Sequence, residues 1–203
     1  MIKKAYLFLI IFCSLLLSGC SSSQPENSQD AEFLSAAEDF LVAFNNKDIA
    51  EIDKYIDKDY GAFVIYNPGA FVVSKHINSF GDIMSMEGTY DAANLKVTEV
   101  KCISPRSGLE PVYNCDMPEG WNKQGCFYGT EKTIELHKLY TEMVTYELLS
   151  ENTAAEPMRK ASLSEKNHTF FLYNTDETIG FHFGKRNGKI YLIAIDRVIP
   201  CSA

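Results

Sequence analysis

TIGFHFGKRNGKIYLIAIDRVI, residues 178–199, decides how this chain folds. Ile179, Phe181 and Phe183 alternate with Gly180, His182 and Gly184, the period-2 pattern of a strand that buries one face. Asn187-Gly188 follows, and this dipeptide accepts the two positive φ angles of a tight hairpin turn better than other pairs. Strands are therefore predicted over 178–185 and 189–199. The returning run, Ile190-Tyr191-Leu192-Ile193-Ala194-Ile195, is apolar at every position, so both of its faces need cover. It belongs in the middle of a sheet, with helices on one side and a further layer or a second subunit on the other, a homodimer being one way to supply that cover. A third strand is predicted over 169–173.

Upstream, Phe33, Ala37, Phe40 and Phe44 recur at helical spacing with Leu34 and Leu41 beside them, which predicts a helix over 31–45. Asp48 with Glu51 makes a capping-box-like start for a second helix whose Ile49, Ile52 and Ile56 share a face. Residues 62–66 and 70–73 flank Asn67-Pro68-Gly69, read as a hairpin around a type II turn. Ser79 with Asp82 caps a short helix ending near Met86, and 94–103 reads as a strand. Residues 104–129 are loop-like, rich in proline, glycine and cysteine. Residues 130–150 mix helix and strand signals; Leu136, Leu139, Tyr140 and Met143 decide for helix.

The N-terminus carries an address. Lys3 and Lys4 precede an apolar run over 5–16, too short to span a bilayer, in the manner of a secretory signal. The Leu17-Ser18-Gly19-Cys20 end resembles the lipobox of bacterial lipoproteins, which implies a signal peptide over 1–19 and acylation (palmitate among the chains) of Cys20. Several acyl chains hold a protein on a membrane, since each buried CH₂ contributes about 0.8 kcal/mol. Ser21 after the modified cysteine implies delivery to the outer membrane, on its periplasmic face or at the cell surface. Residues 20–30 are anchor and polar linker, and 31–203 a single domain.

After removal of the two leader lysines, 17 basic residues stand against 27 acidic ones, a net charge of −10. Such a surface disfavours nucleic acid and anionic headgroups. Cys102, Cys115, Cys126 and Cys201 are an even set in an oxidising compartment and read as two disulfides. Three pairings exist; Cys102–Cys115 with Cys126–Cys201 is favoured, because the first closes a short loop and the second pins the C-terminus. With no C-x-x-C pair and no histidine at ligand spacing beside them, no metal is expected.

The order helix, helix, hairpin, short helix and then antiparallel strands resembles the NTF2-like cone of ketosteroid isomerases and polyketide cyclases. Together with the leader and the stretch Tyr66-Asn67-Pro68-Gly69-Ala70-Phe71, it is similar to a group of Gram-negative envelope lipoproteins. The resemblance implies an α+β fold with N-terminal helices packed on a curved antiparallel sheet, an apolar pocket between them, and a disulfide-stapled insertion. Another two-layer α+β sandwich is the alternative.

No serine-hydrolase elbow, HExxH zinc motif, phosphate loop, dinucleotide fingerprint or EF-hand loop occurs, and no cofactor is expected. His182 and Asp196 are the candidates for an acid–base role. Gly180 and Gly184 leave open space around His182, either as a pocket floor or as a solvated position on the outer face, the latter being expected. Asp196 and Arg197 alternate faces at a strand end, where charges generally meet water. His76 and His137 are expected to be exposed, and His168 merely precedes a strand. Trp121 either anchors a partner or covers the small core of its own loop. The function expected is therefore that of a non-enzymatic, lipid-anchored envelope protein binding a small amphiphile, a glycan or a protein. The alternative is a small isomerase or hydrolase with an Asp or His general base, which requires such a group buried within hydrogen-bond reach of a second polar side chain.

Overall fold

The computed structural model describes residues 28–84, 99–116, 120–131 and 134–198. The leader, Cys20, residues 21–27 of the linker, residues 94–98 of the expected strand and Cys201 lie outside the described residues. No helix among the described residues is long and apolar enough to cross a membrane.

The stretch that opened the sequence reading folds as expected. β6 (Ile179–Arg186) and β7 (Lys189–Arg197) form a hairpin whose turn residues, Asn187 and Gly188, have φ of 52° and 76°, as a type I′ turn requires. β5 (His168–Asn174) pairs antiparallel with β6. The remaining strands are β1 (Ala62–Tyr66), β2 (Val73–Ile77), β3 (Arg106–Ser107) and β4 (Cys126–Gly129). Together they make a curved, open, seven-stranded sheet of order β2-β1-β7-β6-β5-β4-β3.

The sheet is mixed and not antiparallel throughout: β1 runs parallel to β7, and β3 parallel to β4. Only a tight hairpin forces antiparallel pairing, and β1 and β7 are joined by most of the chain. β7 has neighbours on both sides, and Tyr191 through Ile195 are all buried, as its unbroken apolar run demands.

Helices cover both faces. α1 (Ser28–Asn46) begins three residues before the helix expected from periodicity, inside the segment read as linker. It lays Phe33, Ala37, Phe40 and Phe44 on one face, against Phe170, Phe181, Phe183 and Leu192. α2 (Ile49–Ile52) is capped by Asp48, whose Oδ1 accepts from Glu51 N at 3.2 Å, and continues as a 3-10 turn over Asp53–Tyr55. Its Ile49 is exposed while Ile52 and Ile56 are buried, so a single turn replaces the expected three-isoleucine face. α3 (Gly81–Met84) is held by Asp82, whose Oδ2 accepts from Asn78 N and Ser79 N.

The other face is covered by α4 (Leu136–Thr145) and α5 (Glu151–Lys166), packed through Leu136, Tyr140, Met143, Ala154 and Ala161 onto Phe63, Tyr191 and Ile193. α4 is shorter than the helix expected over 130–150. Periodicity gives little sign of α5, whose buried residues are only Ala154, Ala161 and Ser164 and which contains Pro157. Ser150 caps it, accepting from Thr153 N at 3.3 Å.

Three further expectations are corrected. The first hairpin pairs Tyr66 with Val73, so 67–72 form its loop, and Gly69 is absent from the left-handed region a type II turn needs. Phe71 leaves the sheet and lies against Tyr146, ring centroids 5.1 Å apart. Residues 99–103 are not a strand. Finally, the disulfide is Cys102–Cys126, with Cα atoms 5.4 Å apart, which excludes both favoured pairings. The long loop folds back so that its two ends meet beside β4, and closure by sequence proximity gives way to closure by sheet position. Cys115 is also disulfide-bonded.

Candidate functional site

Strand parity alone puts His182 opposite Phe181 and Phe183, hence on the α4 side of the sheet. A bulge brings Asp196 to the same side. His182 faces Ala194 and Phe183 faces Leu192, leaving Ile193 as the extra residue of β7. Ile193 and Ala194 consequently both join the core under α4 and α5, Ile195 returns to the α1 side, and Asp196 follows Ala194. Gly180 is the residue across from Asp196. Arg197 points the other way and donates through Nη1 to the carbonyls of Glu177 and Thr178.

Glu110, from the cysteine-rich loop, completes a cluster. One ligand atom from each of Glu110, His182 and Asp196 lies within 4.8 Å of the others. Their loop is anchored by the Cys102–Cys126 bond, by Thr175 N donating to Gly125 O at 3.0 Å, and by Gly125 N donating to Thr175 Oγ1 at 2.8 Å. Lys123 Nζ donates to Leu109 O, fixing the residue before Glu110. A cavity of about 190 Å³ opens at the cluster, walled by Ile65, Leu136, Leu139 and Val198.

His182 is 1% exposed. Its Nδ1 lies 3.3 Å from His168 Nε2, and its Nε2 has no hydrogen-bond partner among the described residues. Burial pushes its pKa down to about 3, with the neighbouring His168 acting in the same direction, so the ring is neutral at physiological pH. Asp196 is pushed up to about 6 by burial, opposed by the hydrogen bond from Val198 N to Oδ1 at 2.9 Å and by Arg197. It therefore remains largely a carboxylate at neutral pH. Burial, then the charges of Asp196 and Glu110, raise the Tyr173 hydroxyl well above its ordinary value.

The expected solvated histidine is thus a buried one. The space at the two glycines is occupied: a Cβ on Gly180 would come within 2.6 Å of the Tyr173 ring, and one on Gly184 within 2.7 Å of Asn167 O and 2.9 Å of Ile193 Cδ1. The glycines admit neighbouring protein groups, not solvent. His168, discounted as a strand-start residue, is the side chain that contacts His182. Glu110 had no signal at all: a single acid between Leu109 and Pro111 gains meaning only when the loop folds over the sheet.

The other candidates fall elsewhere. His76 is half-buried, its Nε2 2.8 Å from Tyr60 O and its ring edge-on to Phe63. His137 is exposed. Trp121 lies between Tyr113 and Tyr173, at centroid distances of 5.0 and 5.3 Å, covering the loop's own core. Much of the space between α1 and the sheet, where the resemblance implies a pocket, is filled by phenylalanines: Phe33 stacks on Phe170 at 5.1 Å, and Phe40 meets Phe181 edge-on at 5.2 Å; a cavity of about 420 Å³ stays open beside them, lined by Leu34, Leu41, Cys102 and Leu172. A groove of about 820 Å³ along the outer side of α1 is open and rimmed by Asp39, Asp48, Glu51 and Lys54.

A neutral imidazole and the carboxylates of Glu110 and Asp196, with Glu135 also lining the cavity, make an acceptor-rich site, suited to a cation or to a molecule presenting several N–H or O–H groups. No protein-family model matches the chain, and no curated protein or solved structure is significantly similar to it.

Proposed function

We propose that this protein is an exported, lipid-anchored envelope domain that binds a small, positively charged or hydrogen-bond-donating ligand in the cavity beside His182, Asp196 and Glu110. The observation that carries the reading is a buried His182 whose Nε2 has no partner, next to two carboxylates in an apolar recess. Such an arrangement costs stability in the empty state and is relieved by a ligand. The anchor rests on the Leu17-Ser18-Gly19-Cys20 motif, and the Cys102–Cys126 bond suits an oxidising compartment such as the periplasm or the surface of the outer membrane. The order of elements supports an NTF2-like cone, with α4 and α5 as an insertion before β5. In this reading the ligand site has moved from the α1 side of the cone to the side the insertion covers.

A second reading has its own support: His182 is buried within reach of His168, and Asp196 shares its cavity, the geometry an isomerase or hydrolase with an Asp or His base requires. Native mass spectrometry of the full chain, purified from its own host, separates the two. A one-to-one adduct recovered chemically unchanged, and lost in a folded Asp196→Leu variant, supports the binding domain. A molecule that the protein converts on re-addition moves the reading to the enzyme; an adduct that persists in Asp196→Leu puts the ligand elsewhere. Palmitate labelling that survives Cys20→Ala overturns the anchor.

A further inference from the structure

We propose that Glu110, His182 and Asp196 bind a single divalent transition-metal ion of the zinc type. The inference rests on the binding reading above and names the ligand of that same site.

The donor set comes first. One imidazole nitrogen and two carboxylate oxygens, all within 4.8 Å of one another, span the space in which an ion with bonds of about 2.0 to 2.2 Å draws its ligands together. Modest rotation of Glu110, on its loop, closes the remainder. Sulfur is absent from the set, and the described cysteines nearest to it are in disulfides. An imidazole with carboxylates suits zinc and its neighbours in the transition series better than calcium or magnesium, which take oxygen alone.

His182 supplies an independent observation. At 1% exposure its Nε2 makes no hydrogen bond among the described residues, although buried polar atoms are nearly always paired. Nδ1 has a partner, His168 Nε2, at 3.3 Å. With the proton on Nδ1 and donated to His168, Nε2 keeps a lone pair free to serve as the ligand atom. This is the outer contact that metal-bound histidines use to fix their tautomer. His168 serves where a carboxylate or a carbonyl more often does.

Charge agrees with geometry. Two carboxylates side by side repel one another and lose hydration, and a dication offsets both costs where a neutral hydrogen-bond donor offsets only the second. Three protein ligands leave a coordination position open, and here it faces the cavity walled by Ile65, Leu136 and Leu139. A small anionic or neutral molecule can reach the ion there.

The test uses the full, untagged chain in detergent, stripped with EDTA and titrated with Zn²⁺ against a chromophoric chelator. One equivalent binds, and Glu110→Gln and Asp196→Asn each weaken it by more than about tenfold. Co²⁺ in place of Zn²⁺ gives visible absorption bands that these variants lose. In ¹⁵N spectra, one histidine Nε2 resonance moves on zinc addition while its Nδ1 stays protonated. Circular dichroism confirms that each variant folds, and Asp196→Asn, which keeps shape and hydrogen bonding, guards against a folding artefact. Absence of a one-to-one zinc complex overturns the proposal, as does zinc binding unchanged in both variants. A chain that takes up an organic cation but no zinc sinks the metal site and leaves the cavity reading standing; a chain that takes up neither sinks both.

Discussion

The two faces of the sheet share every strand and differ in almost everything else. On the α1 side, Phe40 touches Phe44, Tyr55, Phe181 and Phe183 within ring-centroid distances of 5.2 to 5.9 Å, and buried Asn174, on the same side of β5 as Phe170 and Leu172, has its amide paired with Lys101 O. On the α4 side, the same strands present His182, Asp196 and Tyr191, together with Ser164 from α5, and three of these four leave a buried polar atom unpaired. Phe181 and His182 are neighbours in sequence, so the contrast is drawn one residue at a time. A packed aromatic layer gives stability in proportion to the area it removes from water. A layer holding unsatisfied polar groups gives up stability locally, and natural proteins keep such features where something binds. The first face explains why the domain folds, and the second holds the buried polar groups left without partners among the described residues.

The contrast is open to experiment. Phe181→Ala removes a ring from the middle of the aromatic layer and is expected to cost about 3 to 5 kcal/mol, read as a lowered urea midpoint. A loss below about 1 kcal/mol would mean that the layer is looser than its contacts imply. Opening the disulfide with Cys102→Ser and Cys126→Ser releases a loop of sequence separation 24 and should cost about 3 kcal/mol. The same pair should free Glu110 and impair ligand uptake, whereas Phe181→Ala, in what remains folded, should leave uptake intact. Non-reducing peptide mapping checks the bond itself.

The smallest effect concerns acid, and its sign follows from the two buried groups. Between pH 6.5 and about 3 the unfolded chain protonates its histidine while folded His182 refuses the proton, so stability falls with pH. Between about 6 and 3.8 folded Asp196 keeps a proton that the unfolded chain has released, so stability rises as pH falls. From pH 6 to 4 the two oppose one another. His182→Leu removes only the first, and relative to the parent protein it should gain about 1 kcal/mol per pH unit over that range, with EDTA present. A difference that stays constant with pH would show that His182 titrates normally and is not buried.

Much of this was legible from one dimension, and the reason differs by element. β6 and β7 were readable because their alternation and the Asn187-Gly188 turn are local, and α1 because four aromatic or small residues share one helical stripe. His182 and Asp196 are singled out by parity, yet the expected environment of His182 differs from the observed one: a glycine marks room for something, and here that is the Tyr173 ring at Gly180 and the Asn167 carbonyl with Ile193 at Gly184. α5 was overlooked because a helix resting on two alanines and a serine carries almost no apolar period.

By itself, the sequence determined the elements whose information is short-range: the hairpin, the leading helix, and the burial of the last strand on both faces. Only the tertiary structure decided which cysteines meet, that β1 lies parallel to β7, and that Glu110 comes over the sheet to His182 and Asp196. The physical reason is range. Turn angles and side-chain periods are set within a few bonds, whereas a bulge at Ile193 and the closure of a long loop depend on the summed packing of residues far apart in the chain.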